Sequence, residues 1–526
     1  MMQKLYYNGT ILTMEQVPVT QAVLTQDADI KAVGNFDTLR AAAPDAQLID
    51  LEGKTMLPAF IDAHGHFSSY ANAQLQVALE GTASFAEIEN RITAFIRENE
   101  IKPGAWIVAK GYDHNTLSEK RHPDKAFLDT VAPENPLVLQ HQSGHCGVLN
   151  TKALLMLGYT ADTKAPIGGV IGCENGVLTG YMEETAYIDC IKQVPMADME
   201  TMMNAYRKAQ KKYLSYGIST VQEGMMVAQM LPLYQALIES GLLVVDLVGY
   251  ADTVSLHPLA KAFPKALRAY DRHFKIGGYK IILDGSPQMK TAWMKAPYLD
   301  GDTCGYGTMD DAAVLSAVET AAAENVQILA HCNGAAAPPQ YFDAPAKASD
   351  THPNLANLRA VMIHAQFLAK NQLDAVEKLH VIPSFFVAHT LHWGDIHIAN
   401  LGYDRAKDMS LAKAALAHNI LFTFHQDAPV IEPDMLETVQ CAVTRTTKAG
   451  VILDDNACIS VLDALKAVTC NAAYQYFEED TKGSIKAGKL ADFVILSDNP
   501  LTVSKHKIAK IKILETIKDG QTVFCL

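Results

Sequence analysis

The stretch "PAFIDAHGHFSSYA", Pro58 to Ala71, closes an apolar run with two histidines, His64 and His66. In a β-strand, side chains at i and i+2 share a face, so the two imidazoles would meet at one point. That is a metal-ligand arrangement. The same pattern recurs down the chain. "YKIILDG" carries Lys280 and then Asp284, "VQILAH" ends at His331, "AVMIH" at His364, and "LFTFHQD" at Asp427, with His425 alternating with it. Each residue has an ordinary reading by itself. A strand-end histidine is more often a satisfied polar group than a ligand. Lys280 alone reads as a surface residue or an ion pair, and Asp427 as a helix cap. Imidazoles, a lysine and a carboxylate at the strand ends around one mouth are much harder to obtain by accident.

The elements that would position them alternate strand and helix. Candidate strands are 56–64, 219–224, 243–250, 276–285, 325–334, 360–366, 381–389 and 420–430, with helical stretches such as "METMMNAYRKAQKKYLSYG" and "MDDAAVLSAVETAAAEN" between them. Eight such units predict an α/β fold, a (β/α)8 TIM barrel whose catalytic groups sit at the C-terminal strand ends. The gap between the first and second strands far exceeds a normal connection of about 4–6 residues. Residues 70–200 are therefore read as an inserted subdomain covering the active site. Both chain ends are rich in short strands and hairpin turns: Asn8-Gly9, Glu52-Gly53 and Asp519-Gly520. Each end alone has too few strands to be stable. The expected organisation is one small β-sandwich from residues 1–57 and 485–526, with the barrel spanning 58–484.

Bulk composition narrows the class. The chain has 526 residues, 49% of them hydrophobic, and a formal net charge of −14. An acidic chain without a basic run lacks the electrostatic footprint for nucleic acid. No apolar stretch is long enough to span a membrane, and no signal peptide is visible at the start. Nine scattered cysteines without a C-x-x-C pair suit reduced thiols in the cytoplasm. The expected partner is a small-molecule substrate; a homodimer stays open.

The ligand pattern resembles the amidohydrolase superfamily of metal-dependent hydrolases. It is H-x-H at the end of strand one, Lys on four, His on five, His on six and Asp on eight. The stretches "GYDHN", "SGHCGVLNTKAL", "HCNG", "FHQDAPV" and "GSIKAGKLADFVIL" extend the resemblance, in order along nearly the whole chain, to the amidohydrolase-3 subgroup that includes N-substituted formamide deformylase. The resemblance implies two divalent metal ions. His64 and His66, helped by Asp427, would hold the more buried one, and His331 and His364 the other. Lys280 would carry a CO2-derived carbamate bridging both. A bare ammonium would repel metal, whereas a carbamate supplies two anionic oxygens. Imidazole and carboxylate-type donors suit Zn best, with Mn, Fe or Co as alternatives. Ions about 3.5–4 Å apart would bridge a water and lower its pKa towards ~7. Asp427 would take the proton from the attacking hydroxide and deliver it to the leaving amine. The implied activity is cleavage of amide, N-acyl or N-formyl C–N bonds (the EC 3.5 class). A deaminase or an ester/lactone hydrolase of the superfamily is the nearest rival, though its deaminases often lack the bridging lysine. A non-catalytic small-molecule-binding descendant is the rival outside enzymes.

Further candidates surround this set. His145 and Asn150 in "SGHCGVLN" are expected to touch substrate from the insertion. Asp284 shares a face with Lys280 and would orient it or touch substrate. Trp393 and Asp395 in "HTLHWGD" would wall the pocket. His141 and His145 have the spacing of a helical zinc pair, but "PLVLQHQ" reads as strand and Ser143-Gly144 as turn. The sequence departs from the subgroup at Ala335, where an acidic residue is usual.

Overall fold

A computed structural model describes residues 2–195, 197–349 and 351–526. The chain divides into two compact units, Met1–Ser69 with Ala209–Leu526, and Tyr70–Lys208.

The first unit is built on an eight-stranded parallel sheet. In chain order its strands are β1 (Phe60–Ile61), β2 (Ile218–Met226), β3 (Asp246–Ala251), β4 (Phe274–Ile282), β5 (Gln327–Cys332), β6 (Val361–His364), β7 (Ile382–Phe385) and β8 (Thr423–Phe424). Each pairs with its sequence neighbour, so the order from β8 to β1 is unbroken. All of β3 and β6 is buried, which is why these strands read as continuous rather than alternating apolar runs. Beyond the ladder, Asp427 N donates to His64 O at 3.3 Å and His66 N to Ala428 O at 2.8 Å. The segments after β8 and β1 therefore meet, as closure of a (β/α)8 barrel requires. Ile61, Val248, Tyr250, Leu329, Val361 and Ile382 share one buried cluster.

The helices follow amphipathic logic. Asp311–Ala323 starts at Asp310, whose carboxylate accepts the Ala313 N–H. It buries Val314, Ala317, Val318, Ala321 and Ala322, a single stripe at helical spacing. Burying one such valine contributes about 1.5–3 kcal/mol.

Two expectations about boundaries change. The first candidate strand, 56–64, is two elements. Thr55–Pro58 pairs antiparallel with Phe493–Leu496, and only Phe60–Ile61 enters the parallel sheet. His64 and His66 lie in the bend beyond it, so strand alternation is not what brings them together. The eighth strand is two residues of the eleven expected, because the chain turns towards the mouth immediately after Phe424.

The chain ends form two sheets. One holds Asp29–Gly34, Ala22–Gln26, Gln3–Tyr7 and Gln47–Asp50; the other runs from Gln521–Cys525 to Val19–Thr20 and includes Thr55–Pro58 and Phe493–Leu496. Tyr6, Val23 and Ile30 of the first share a core with Ile11, Met56, Phe493 and Ile517 of the second.

The second unit has its own six-stranded sheet: Gly169–Glu174, Val177–Glu184, Cys146–Leu149, Leu137–His141, Ile107–Tyr112 and Gln76–Ala78, in that order. Helix Phe85–Glu98 buries Phe85, Ile88 and Ile92 in a core with Ile107, Leu137 and Leu139. Among the described residues no helix is long and apolar enough to cross a membrane.

Candidate metal centre

The structure gathers the six expected ligands at one place. The His64 ring lies 5.2 Å from that of His66 and 5.6 Å from that of His364, and His364 lies 4.5 Å from His331. Asp427 Oδ1 approaches Nε2 of His64 and His66 at 3.4 and 3.3 Å, and Oδ2 approaches His364 Nε2 at 3.9 Å. Lys280 Nζ is 3.2 Å from His64 Nε2. His364 and Asp427 both have left-handed backbones, at φ 70° and 56°. Such conformations cost about 1–3 kcal/mol in ordinary residues and concentrate at functional sites. Here they mark the turns that follow β6 and β8.

Burial sets the protonation of this cluster. It pushes the imidazoles of His64 and His364 well below their ordinary range, with further depression from neighbouring cationic groups. It brings His425 down to about 3 and Lys280 down to about 7. Burial opposes ionisation of Asp427 as well, but the hydrogen bond and charge of His66, then His425 and Lys280, hold it below the usual carboxylate range. The result is that His64, His364 and His425 are held neutral beside one ionised carboxylate.

These residues fit a divalent metal. Asp427 Oδ1 is buried, faces two imidazoles and has no aligned hydrogen bond; His331 Nδ1, 3.3 Å from Asp284 Oδ1, also lacks an aligned one. A buried carboxylate oxygen left this way is costly without a cation to face.

Neighbouring side chains fix the ring orientations. Gln222 Oε1 lies 2.5 Å from His64 Nδ1, and its amide donates to Ala63 O and approaches Tyr476 Oη. With Nδ1–H donated to Gln222, Nε2 of His64 points its lone pair at Asp427, the outer support typical of metal-binding histidines. Glu223 is buried, its carboxyl pushed up by desolvation, and accepts the Ser68 N–H at 2.7 Å. A Cβ on Gly224 would stand 2.7 Å from His64 Cε1. His425 spans Ser384 Oγ at 2.9 Å and His364 Nδ1 at 3.1 Å. Gln222, Glu223 and Gly224 escaped sequence reasoning, although "STVQEG" ends an apolar strand in polar groups.

The expected substrate residues fare differently. Asn150 is not available to a ligand. Its Oδ1 accepts from Leu137 N and Ala153 N, and its Nδ2 donates to Ala132 O and Asn135 O, so it caps helix Thr151–Met156. Asp395 is also engaged: it accepts Thr447 Oγ1 at 2.6 Å and Ala449 N at 3.0 Å, pinning that loop. Asp284 is fully buried and accepts from the backbone of Trp293, Asn333 and Gly334, with Oδ1 3.3 Å from His331 Nδ1. It braces the turn after β5 and His331 rather than Lys280. Trp393 packs on His389 at 4.5 Å and on Phe386 at 6.0 Å, and Phe386 in turn contacts His425. His145 is exposed and pairs with Glu184 in the second unit.

YtcJ of Bacillus subtilis (strain 168) is 26% identical over 542 residues, 99% of each chain. An N-substituted formamide deformylase from Arthrobacter pascens is 25% identical, covering 95% of this chain and 94% of its own. An uncharacterized metal-dependent hydrolase from Pyrococcus furiosus shares the fold, with a TM-score of 0.77 at 23% identity over 95% of this chain and 100% of its own. The amidohydrolase-3 model, described as Amidohydrolase family, matches residues 47–524. The chain belongs to the amidohydrolase family.

Proposed function

We propose that the chain hydrolyses a C–N bond of a small-molecule amide, with N-formyl and N-acyl compounds as its substrate class. One observation carries this reading: four histidines and Lys280 surround a largely buried Asp427 whose Oδ1 faces Nε2 of both His64 and His66. His64, His66 and Asp427 would hold one divalent ion, His331 and His364 the other, and a carbamate on Lys280 would join them. Zinc suits these donors best. When bound, the ions supply a Lewis acid for the scissile carbonyl and acidify the attacking water. Asp427 accepts the proton of that water and passes it to the departing nitrogen, which leaves poorly unless protonated. Gln222 holds His64 in the tautomer this requires. Lys280 is buried and carries an amine whose proton is easily lost, the state that reacts with CO2. The name of the Arthrobacter pascens relative supports starting with formamides.

The test is metal analysis followed by turnover of a library of formamides, other amides and esters. The expected result is two divalent ions per chain that depend on the barrel ligands, and amide or formamide hydrolysis that stops on chelation and returns with metal. Turnover of esters alone, or full activity in metal-free protein, overturns the reading.

A further inference from the structure

The second unit carries its own cluster of metal-type donors. His114 Nδ1 and His141 Nε2 are 3.2 Å apart. Asp113 Oδ1 lies 3.4 Å from His141 Nε2 and 3.8 Å from His114 Nδ1. Tetrahedral zinc with bonds of about 2.0–2.1 Å places its donors roughly 3.3 Å apart, so the three separations describe one face of such a polyhedron. The backbone explains the convergence. Ile107–Tyr112 and Leu137–His141 are adjacent parallel strands, and both end here. Asp113 and His114 follow directly from the first, and His141 closes the second.

The outer supports are present too. Asp113 Oδ2 accepts Gln142 Nε2 at 2.6 Å. His141 Nδ1 lies 2.9 Å from Ser143 Oγ and accepts the Ser143 N–H at 3.1 Å; moving the ring proton to Nδ1 and donating it to Ser143 Oγ, in exchange for that backbone bond, frees Nε2 as a lone pair facing Asp113 and His114. A ligating histidine usually has such an oxygen behind it. The His114 ring is held by stacking on His122, with centroids 4.0 Å apart. His141 is nearly buried while His114 is about one-third exposed, so one side of the triad opens to solvent.

We propose that Asp113, His114 and His141 form a zinc site built only from residues of the inserted unit, with a fourth position open to water or an anionic ligand. Two imidazoles and one carboxylate are the borderline donor set that zinc prefers. The rival reading is a chain of hydrogen bonds with no ion, in which His141 Nε2 carries the proton. The proposal does not depend on the reaction assigned to the barrel.

Full-length protein stripped by chelator is reloaded with Zn2+, and bound zinc is counted after gel filtration. The expected result is one zinc per chain fewer in His114→Ala/His141→Ala than in wild type. That zinc should persist in a His64→Asn/His331→Asn variant. Equal zinc in wild type and His114→Ala/His141→Ala overturns the proposal and leaves only the hydrogen-bonded cluster. Should the alanine variant fail to fold, Asp113→Asn decides, because it keeps the side chain's size. Zn2+ affinity at this site should then fall at least about tenfold, the size that loss of an outer partner alone produces. Unchanged affinity overturns the proposal.

Discussion

At the scale of single residues, Asp427 holds the most consequential position. Its carboxylate is largely buried, ionised and in reach of three imidazoles. Asp427→Asn keeps the shape and an oxygen near the ligands but removes the base. Amide hydrolysis should slow by about 10²–10⁴, the usual contribution of a general acid–base group. An activated ester should lose less, because its leaving group needs no proton. Equal losses with both metals retained would move the acid role to His425, the nearest other imidazole on the same strand end. Lys280→Ala should lose both metal and activity, and bicarbonate with a short carboxylic acid should restore part of each; full activity without rescue refutes the carbamate. This cluster of side chains was legible because an ionisable residue that ends an apolar run is chemically conspicuous. Asn150 and Asp395 were misread for the converse reason. A polar residue in a loop looks free in a sequence, and only the structure shows four backbone groups satisfied by one amide or a loop pinned by one carboxylate.

At the scale of elements, the parallel strands were legible as apolar runs, and their order along the sheet followed from strand–helix alternation. The ends were not. The convergence of His64 and His66 depends on a bend after β1, and that bend is set by partners far away in sequence. Gly65 O accepts the Gly224 N–H at 2.8 Å, and Gln222 grips the His64 ring. Gly224 is the tightest point of this arrangement, since an added methyl would meet both His64 Cε1 at 2.7 Å and Gly65 O at 2.8 Å. Overpacking of this kind costs about 1–3 kcal/mol. Here the displaced group is a proposed ligand, so Gly224→Ala should reduce metal content more than global stability. Metal per chain and melting temperature measured on the same preparation check this. A variant that melts early yet binds metal normally would show that β2 yields instead of the ring. Gln222→Leu should weaken metal binding by about 10–100-fold, as expected for loss of an outer partner, and the ratio of bound metal at limiting concentration reads this directly.

Across the molecule, a buried ion network ties the parallel sheet to the strands from the chain's C-terminal end. Asp246 opens β3 and meets Lys482, Lys518 at 3.0 Å and His273 Nδ1 at 2.8 Å. Lys518 also pairs with Asp492 at 3.3 Å, and Lys482 with Glu478 at 3.1 Å, while Lys275 on β4 contacts Glu478. Nothing in the sequence announced these residues, because each lies far from its partners along the chain and none is conspicuous alone. Three lysines facing three carboxylates balance in charge, so removing one member leaves an uncompensated buried ion. Asp246→Asn should therefore destabilise the first unit by about 3–5 kcal/mol. The pH dependence has a definite sign. Burial opposes ionisation of Asp246, but Lys482 and Lys518 outweigh it and hold the carboxyl well below its ordinary range. Its folded-state pKa is thus lower than the unfolded value of about 3.9. The stability it contributes is fully present above that value and is lost as pH falls through and below it. Chemical denaturation of wild type and Asp246→Asn at pH 7 and again near pH 3 measures this. The gap between their midpoints should be wide at pH 7 and should narrow in acid, because the wild type loses what the variant never had. A gap of the same width at both pH values would mean that the aspartate acts by shape and hydrogen bonding, and that the charge of the network contributes nothing to holding the sheet and the end strands together.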